Sequence, residues 1–403
     1  MKYKLRDICH FPKEKIAVAA LDSLTYISTE NMLPNRGGVI PASGLPTIES
    51  TQAFSEGDVL VSNIRPYFKK IWQASYAGGC SNDVLVFRAN QEVDPDFLYY
   101  VLSDDQYFNY ASATSKGTKM PRGDKVAIME YPVPNVSYGE QRKISSILKS
   151  LDKKIELNKK INHNLQQQAK AIFDEWFIKI PQSTQDTLKI TPLGYFPDSF
   201  SVVKTGELPI VVADYVANGS FASLKENVKL HQSKNYAYFI RNTDLKSGSF
   251  EVFVDKHSYD FLSKSRLFGG EIIISNVGDV GSVFLCPTLD APMTLGNNII
   301  MIKSDIPELR LFLYIWFKWS LGQGLIQGIK SGSAQPKFNK TDFKNLPIIL
   351  PPSELLQKFN STVSPIFEMI ERNDNENRKL SSLRDSILPK LMSGEIDVSE
   401  VEV

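Results

Sequence analysis

Residues 56–63 read EGDVLVSN, and residues 269–276 read GGEIIISN. Each is an acidic turn, a short apolar strand and a Ser-Asn exit. A repeat at constant spacing constrains a fold more than any local pattern, because the chain is then built on one plan used twice. Here the spacing holds in order along the chain to within two residues, 213 for this strand and 215 for the matches that follow. SNDVLVFRA (81–89) returns as GNNIIMIKS (296–304), and KGTKMPRGDK (116–125) returns as SGSAQPKFNK (331–340), both at an offset of 215. EYPVP (130–134) is answered by NLPII (345–349). Gly117 matches Gly332, Pro121 matches Pro336, Lys125 matches Lys340 and Pro132 matches Pro347.

A long polar stretch with helical spacing follows each copy. Ile144, Leu148, Leu151, Ile155, Asn158, Asn162, Leu165, Ala169, Ile172 and Trp176 alternate by four and three, the a/d seam of a coiled coil. The same positions 215 residues on are Phe359, Val363, Ile366, Ile370, Asn373, Asn377, Leu380, Arg384, Ile387 and Leu391. Both copies thus carry two asparagines in mid-seam, where polar residues weaken packing but fix register, so these positions should face each other. Residues 139–180 hold nine basic and five acidic residues, and residues 353–403 hold six and ten, so opposite charge favours pairing between the two. Gly139 and Ser353 are plausible caps, and Pro365 inside the second run predicts a kink or a late start. The competing arrangement is two separate amphipathic helices, each packed on its own domain. About 35 residues at ~1.5 Å each make a rod of roughly 50 Å, long for one domain of this size. Two such helices running antiparallel would place the globular copies at opposite ends, related by a pseudo-twofold axis.

Composition bounds the function. Net charge is +1 over 403 residues, so a nucleic-acid partner would have to be held by local patches. Three cysteines without C-x-x-C pairing point away from a disulfide framework or structural zinc and fit a reducing cytoplasm. The start has no signal-peptide core, and the run at 309–321 is too short to span a bilayer and is broken by Lys318, so it reads as a buried helix. No nucleotide-binding loop, H-E-x-x-H or G-x-S-x-G occurs, and the four histidines lack metal-ligand spacing. GQGLIQG (322–328) follows a helical run rather than a strand and reads as a turn. Asp58, Glu271 and Asp279 read as solvated turn residues. The pattern is that of a binding or scaffolding chain, with no catalytic residues.

Three features of the copies sit where a surface could read a ligand. The strand exits SNIRPYFKK (62–70) and SNVGDVGS (275–282) offer Asn63, Arg65, Tyr67, Lys69 and Lys70, and Asn276. Asn suits an adenine edge and Arg a guanine edge, although Asn63 and Asn276 read equally well as bonding their own backbone. The Gly-containing loops offer Lys116, Lys119 and Arg122, and Lys330, Ser333, Gln335 and Lys337, cations and small polar groups suited to phosphate. ANGSFASLKENVKL (217–230), with Ser223 and Lys225, has no clear twin; its nearest positional counterpart is STENMLPNRGG (28–38). Arg241 completes the set of candidate DNA contacts.

Several stretches resemble the specificity subunit of type I restriction–modification systems. Residues 138–177 look like that family's central conserved helix, 376–398 like its distal helix and tail, and 193–208 like the lead into its second target recognition domain. FGGEIIISNVGDVG (268–281) and SGSAQPKFNKTDFKNLPIILPP (331–352) are similar to stretches within such domains. The first domain departs more: Arg65 and Pro66 stand where the second copy has Gly278 and Asp279, which leaves its loop geometry open.

The resemblance implies an α+β fold: two pseudo-twofold-related target recognition domains separated by two long antiparallel coiled-coil helices. The expected boundaries are 1–138 for the first domain, 139–180 for the central helix, 181–352 for a linker and the second domain, and 353–403 for the distal helix and tail. Asn158, Asn162, Asn373 and Asn377 would set the register. It further implies that each domain reads half of a bipartite double-stranded DNA target, and that the helices set the spacer and dock two methyltransferase subunits. The chain itself would be a cytoplasmic, non-enzymatic subunit without cofactor or metal. S-adenosylmethionine would belong to the methyltransferase subunits and ATP to the restriction–translocase subunits. The alternative is a two-headed protein-binding scaffold. Neither domain is globally basic (14 basic and 15 acidic residues in 1–138, 16 and 14 in 190–352), so the isolated chain is expected to bind DNA weakly without those partners.

Overall fold

The strand Val59–Ser62, which follows the first acidic turn, is buried along its whole length, and so is its repeat Ile272–Ser275. Each is central to a sheet, and that is why both read as continuous apolar runs rather than alternating ones. The computed structural model describes residues 3–179, 188–332 and 334–401. The chain divides into two compact units, Met1–Leu157 with Glu376–Val403, and Asn158–Asn375.

In the first unit, Val59–Ser62 pairs antiparallel with Val84–Ala89 on one side and Ile71–Gln73 on the other, and Cys9–His10 completes a four-stranded sheet. A second sheet joins Lys15–Ala17, Ser50–Phe54, Gly78–Cys80 and Tyr26–Ile27, the last pair parallel. In the second unit, Ile272–Ser275 lies between Ile299–Ser304 and Val283–Leu285, with Ile210–Asp214 outermost. Its second sheet again holds one parallel pair, Ala237–Ile240 with Met293–Leu295. The two copies therefore share a plan down to strand direction.

The shared plan corrects one expected equivalence. Tyr26–Ile27 and Ala237–Ile240 are the matching members of the parallel pairs. Residues 28–38 follow the first of these, whereas residues 217–230 precede the second. The segment 28–38 thus corresponds to the chain after Ile240, where the helix Asn242–Ser247 lies.

The acidic turns are not solvated, as the sequence suggested for Asp58 and Glu271. Asp58 is 3% exposed and Glu271 5%. Asp58 accepts from the Ser55 N–H at 2.8 Å, and Glu271 accepts from the Phe268 N–H at 2.8 Å, in each case three residues back. Each carboxylate closes the turn that launches its strand. Asp58 is further held by Arg88, and Glu271 by the Gly269 N–H. Asp279 is exposed to a greater degree and pairs with Lys246.

A helix pair follows the last central strand of each copy. Asp94 and Asp104 cap Pro95–Ser103 and Asp105–Ala113, each accepting from an N–H two residues on. The second pair is Pro307–Trp319, with eight of its 13 residues buried, and Leu321–Gly328. GQGLIQG therefore lies wholly in a helix, not a turn. Its glycines lower intrinsic propensity, but Ile326 is fully buried and Gly322 lies so close to Trp316 that a Cβ would fall 2.3 Å from the ring. Packing overrides propensity here.

Lys318 near the end of Pro307–Trp319 donates to the Tyr314 hydroxyl at 2.6 Å and lies 4.8 Å from the centre of the Trp319 ring. Burial pushes its ammonium down from 10.5 to about 8. The unfolded chain binds the extra proton between these values, so this group makes stability rise with pH across that window. Between about pH 7.5 and 9.5 the chain should gain on the order of 1 kcal/mol relative to Lys318→Met. Urea unfolding of both at the two pH values measures this; parallel behaviour would refute it.

The central helix runs Tyr138–Phe173 and ends in a π-turn, Asp174–Ile178. The distal helix runs Ser353–Ser393 without a break. Pro365 neither interrupts it nor delays its start. The proline removes one N–H, while Phe359, Val363, Phe367 and Ile370 on either side are all buried in the core of the second unit. Every one of the twenty seam positions is buried or half-buried. Within the first unit the helices run antiparallel, with Asp152 accepting from Arg384 at 2.6 Å and Lys154 pairing with Glu376 at 3.4 Å. Within the second, Asn373 donates to Asn162 at 2.8 Å, and Asn162 donates to Asp374 at 2.8 Å. Asn158 and Asn377 are also buried. The stripes are shared with the domain cores as well. Ile144, Leu148, Leu388 and Leu391 join the first core, and Ala169, Phe173 and Phe359 join the second. No helix among the described residues is long and apolar enough to cross a membrane.

Candidate nucleic-acid interface

In each copy the strand exit and the Gly-containing loop are tied together by the same backbone bonds. Lys116 and Arg122 exchange N–H···O bonds at 2.8 and 2.9 Å, and Ser331 and Lys337 do so at 2.8 Å each. Each loop turns at a glycine with positive φ, Gly117 at 94° and Gly332 at 85°. A Cβ on Gly332 would meet the Gln335 carbonyl at 2.9 Å. The strand exit then joins this loop. Arg65 N–H donates to the Pro121 carbonyl at 2.8 Å, and Gly278 N–H donates to that of Pro336 at 2.8 Å.

Arg65 and Gly278 thus hold equivalent places. Arg65 takes the left-handed conformation, φ 50°, that Gly278 takes at 77°. The two exit loops share their backbone course at this point despite the Arg-Pro and Gly-Asp sequences. A non-glycine residue in this region costs ~1 kcal/mol or more, and the surrounding hydrogen bonds hold it there.

Asn63 and Asn276 sit at the junction. Asn63 N–H donates to the Asp83 carbonyl at 2.8 Å, and its own carbonyl accepts from Gly123 at 3.1 Å. Asn276 makes the matching pair with Asn298 and Phe338, at 3.1 and 3.0 Å. Asn63 is only 9% exposed, and both side-chain oxygens lack a hydrogen-bond partner. A Cβ on Gly123 would come within 2.7 Å of the Asn63 oxygen and 2.8 Å of Ile128 Cδ1, so any larger residue there would have to displace one of these side chains. The backbones of Asn63 and Asn276 latch the two loops.

The other candidates divide by their partners. Lys69 pairs with Asp105 at 2.9 Å, Arg122 with Asp83 at 3.1 Å, Lys116 with Asp124 at 2.5 Å and Arg241 with Asp244 at 2.6 Å. The Asp244 partnership holds the Arg241 guanidinium above its ordinary range. Lys70 donates to the Thr29 carbonyl at 2.6 Å, and burial lowers its ammonium. Among the described residues, Lys119, Lys225, Lys330 and Lys337 have no ion-pair partner, and all four are exposed, as is Gln335. Ser333 lies outside the described residues. Tyr67 is 53% exposed beside Phe68, the ring centres 4.8 Å apart. Ser223 and Lys225 lie on the helix Phe221–Asn227, which packs through Leu224 into a separate apolar cluster with Phe239 and Leu262. No hydrogen bond among the described residues ties that helix to either loop. Arg241 borders the helix Asn242–Ser247, which does reach the second exit loop through Asn242 and Lys246, both to Asp279.

Some positioning residues were not evident from sequence. Gln323 Nε2 donates to the Gly281 carbonyl at 2.9 Å, and Gln327 Nε2 donates to that of Val280 at 3.2 Å. Their i,i+4 spacing was the available signal, obscured by reading the segment as a turn. Asp105 plays the corresponding part in the first copy, reaching Lys69 from the first turn of its helix. Among the described residues no group of three His, Cys, Asp or Glu side chains is placed to hold a metal ion.

The comparisons agree with this architecture. The family model described as the type I restriction modification DNA specificity domain matches residues 1–167 and 212–382. The chain is 26% identical over 369 residues to the type I restriction enzyme MjaIX specificity subunit of Methanocaldococcus jannaschii, covering 87% of this chain and 80% of that one. It is 24% identical over 466 residues to the HindI specificity subunit of Haemophilus influenzae, covering 98% and 99%. A crystal structure of the S subunit of a type I restriction-modification system from M. genitalium has the same fold, with TM-score 0.52 and 16% identity over 97% of this chain and 96% of that one. Two copies of one plan, each with its latched loops and each matched by the same model, settle the assignment: the chain belongs to the type I restriction modification DNA specificity family.

Proposed function

We propose that each copy reads one half of a bipartite DNA sequence, and that the two long helices set the spacer between the halves. The observation that carries this reading is the duplicated latch. One backbone frame, built twice, presents different side chains: Tyr67, Phe68 and Lys119 in the first copy, and Lys330, Gln335 and Lys337 in the second. The unpaired lysines are suited to phosphates, and the polar tips to base edges. Arg65, Lys69, Lys70, Lys116, Arg122 and Arg241 hold the frame in the free chain; Ser223 and Lys225 form a separate contact surface of the second copy.

The chain is a non-catalytic subunit working in the cytoplasm. Two methyltransferase subunits dock on the helices and supply S-adenosylmethionine chemistry, and restriction–translocase subunits supply ATP chemistry. Internal pairing of several candidate cations supports the weak DNA binding expected of the chain alone. Tight binding then requires the partner subunits to enclose the duplex.

Exchange of the second domain for that of a relative, within the complete system, tests the reading. Sequencing of methylated bases in the host should show one half of the motif changed and the other half and the spacer kept. A motif changed in both halves, or in neither, would overturn the assignment of one half-site to each copy. Loss of protein partners with no change of DNA motif would favour the two-headed scaffold.

A further inference from the structure

The first copy carries a feature that the second lacks. Its exit loop ends in a short 3-10 turn, Pro66–Phe68, flanked by two left-handed residues, Arg65 at φ 50° and Lys69 at φ 51°. The turn lifts Tyr67 and Phe68 to the surface, 53% and 39% exposed, with their rings tilted 57° to each other. At the matching place the second copy has Val277, Gly278, Asp279 and Val280, with no aromatic ring.

This aromatic tip is rigid. Phe68 N–H donates to the Arg65 carbonyl at 3.0 Å and Lys69 N–H to that of Pro66 at 2.8 Å. From outside, Asn35 N–H donates to the Phe68 carbonyl at 2.9 Å, and Arg36 N–H to that of Lys69 at 2.9 Å. Arg65 is fastened to Pro121 in the Gly-containing loop, whose exposed residues include Lys119 and Met120. Arg65 Nε is buried with no hydrogen-bond partner. Two exposed rings on a clamped turn, fastened to a loop that carries the unpaired Lys119, combine a flat apolar surface with positive charge. That pairing suits bases and phosphates together. Because the turn is already ordered, little conformational entropy is lost when the rings are buried.

We propose that Tyr67 and Phe68 form an aromatic wedge that stacks on, and partly opens, one base step in the half-site read by the first copy. The second half-site is bound without such a wedge. This rests on the half-site reading above and adds to it an asymmetric distortion of the DNA.

The test uses the assembled specificity–methyltransferase complex and its methylated motif, with 2-aminopurine placed in turn at each position of both half-sites. With the natural chain, and apart from the methylated bases themselves, which the methyltransferase subunits turn out of the stack, one step of the first half-site should brighten on binding, as the probe unstacks, and no step of the second should. The Tyr67→Ala/Phe68→Ala double variant should lose that signal and bind about ten-fold or more weakly, since a base–aromatic stack is worth roughly 5- to 150-fold. Its melting temperature should match that of the natural chain. Tyr67→Phe should keep the signal. Brightening at that step, away from the methylated bases, that persists in the double variant, or is lost together with thermal stability, would overturn the wedge. So would unchanged DNA binding with impaired subunit assembly, which would make the tip a protein contact. Failure of the natural complex to bind any bipartite target would instead overturn the half-site reading itself.

Discussion

Phe359→Ala is expected to destabilise the second unit by about 3–5 kcal/mol, the cost of emptying a large buried aromatic site. Phe359 is fully buried in the distal helix. Its ring centre lies 4.9 Å from that of Phe177, 5.7 Å from that of Phe173 and 5.9 Å from that of Trp176. These three come from the end of the central helix and its π-turn. Phe312, from the first helix of the domain's own pair, closes on Phe173 and Phe177 at 5.3 and 5.1 Å. One side chain therefore helps join both long helices to the domain core. The six ring carbons removed there leave a cavity lined by other aromatic rings, which collapse poorly. Hydrogen exchange of the second unit, read by mass spectrometry, reports the loss locally and does not require the whole chain to unfold in one step. Phe359→Leu should cost much less. A loss below about 1 kcal/mol for the alanine variant would show that the helix seam, not the aromatic cluster, holds this junction.

The second large effect concerns the acidic turn. Asp58→Ala should destabilise the first unit by about 3 kcal/mol, at the lower end of the range for breaking a buried ion pair. Both Asp58 oxygens accept from Arg88, at 2.8 Å each, and one also closes the turn at Ser55. With the carboxylate gone, a half-buried guanidinium keeps only the exposed Glu14 at 3.0 Å and the Ser55 hydroxyl at 3.1 Å. The Ser55 N–H loses its acceptor as well. Replacing both partners, Asp58→Ala with Arg88→Met, should recover much of the loss, because no uncompensated charge remains. Guanidinium unfolding of the four chains of this double-mutant cycle gives the coupling directly. Simple additivity would mean that the pair contributes nothing beyond its separate parts.

Both sites bear on what the sequence could disclose. The recurrence of Asp58 as Glu271, 213 positions on, was visible at once, but the burial of both carboxylates was not. An acidic residue before a strand looks alike whether it faces water or closes a turn. What separates the two is a partner such as Arg88, 30 residues away. The same limit applied to the cations. Lys116, Lys69, Arg122 and Lys119 are equivalent as letters, yet only Lys119 among them lacks an acidic neighbour in the fold. GQGLIQG shows a further side of it. Its place after a helical run argued for a turn, and packing against Trp316 made it a helix.

The sequence alone determined the duplicated plan, the central strands and the helical stripes, because periodicity and recurrence at a near-constant offset are properties of the order of residues. The tertiary structure alone decided which side chains remain available to a ligand. Hydrogen-bond partners and ion pairs form between residues remote in the chain, and burial depends on packing from every side. The Ser-Asn exit is the clearest case. Its repetition marked it as important, but only the fold assigned the Asn63 and Asn276 backbones to latching two loops and left Tyr67, Phe68 and the unpaired lysines at the surface.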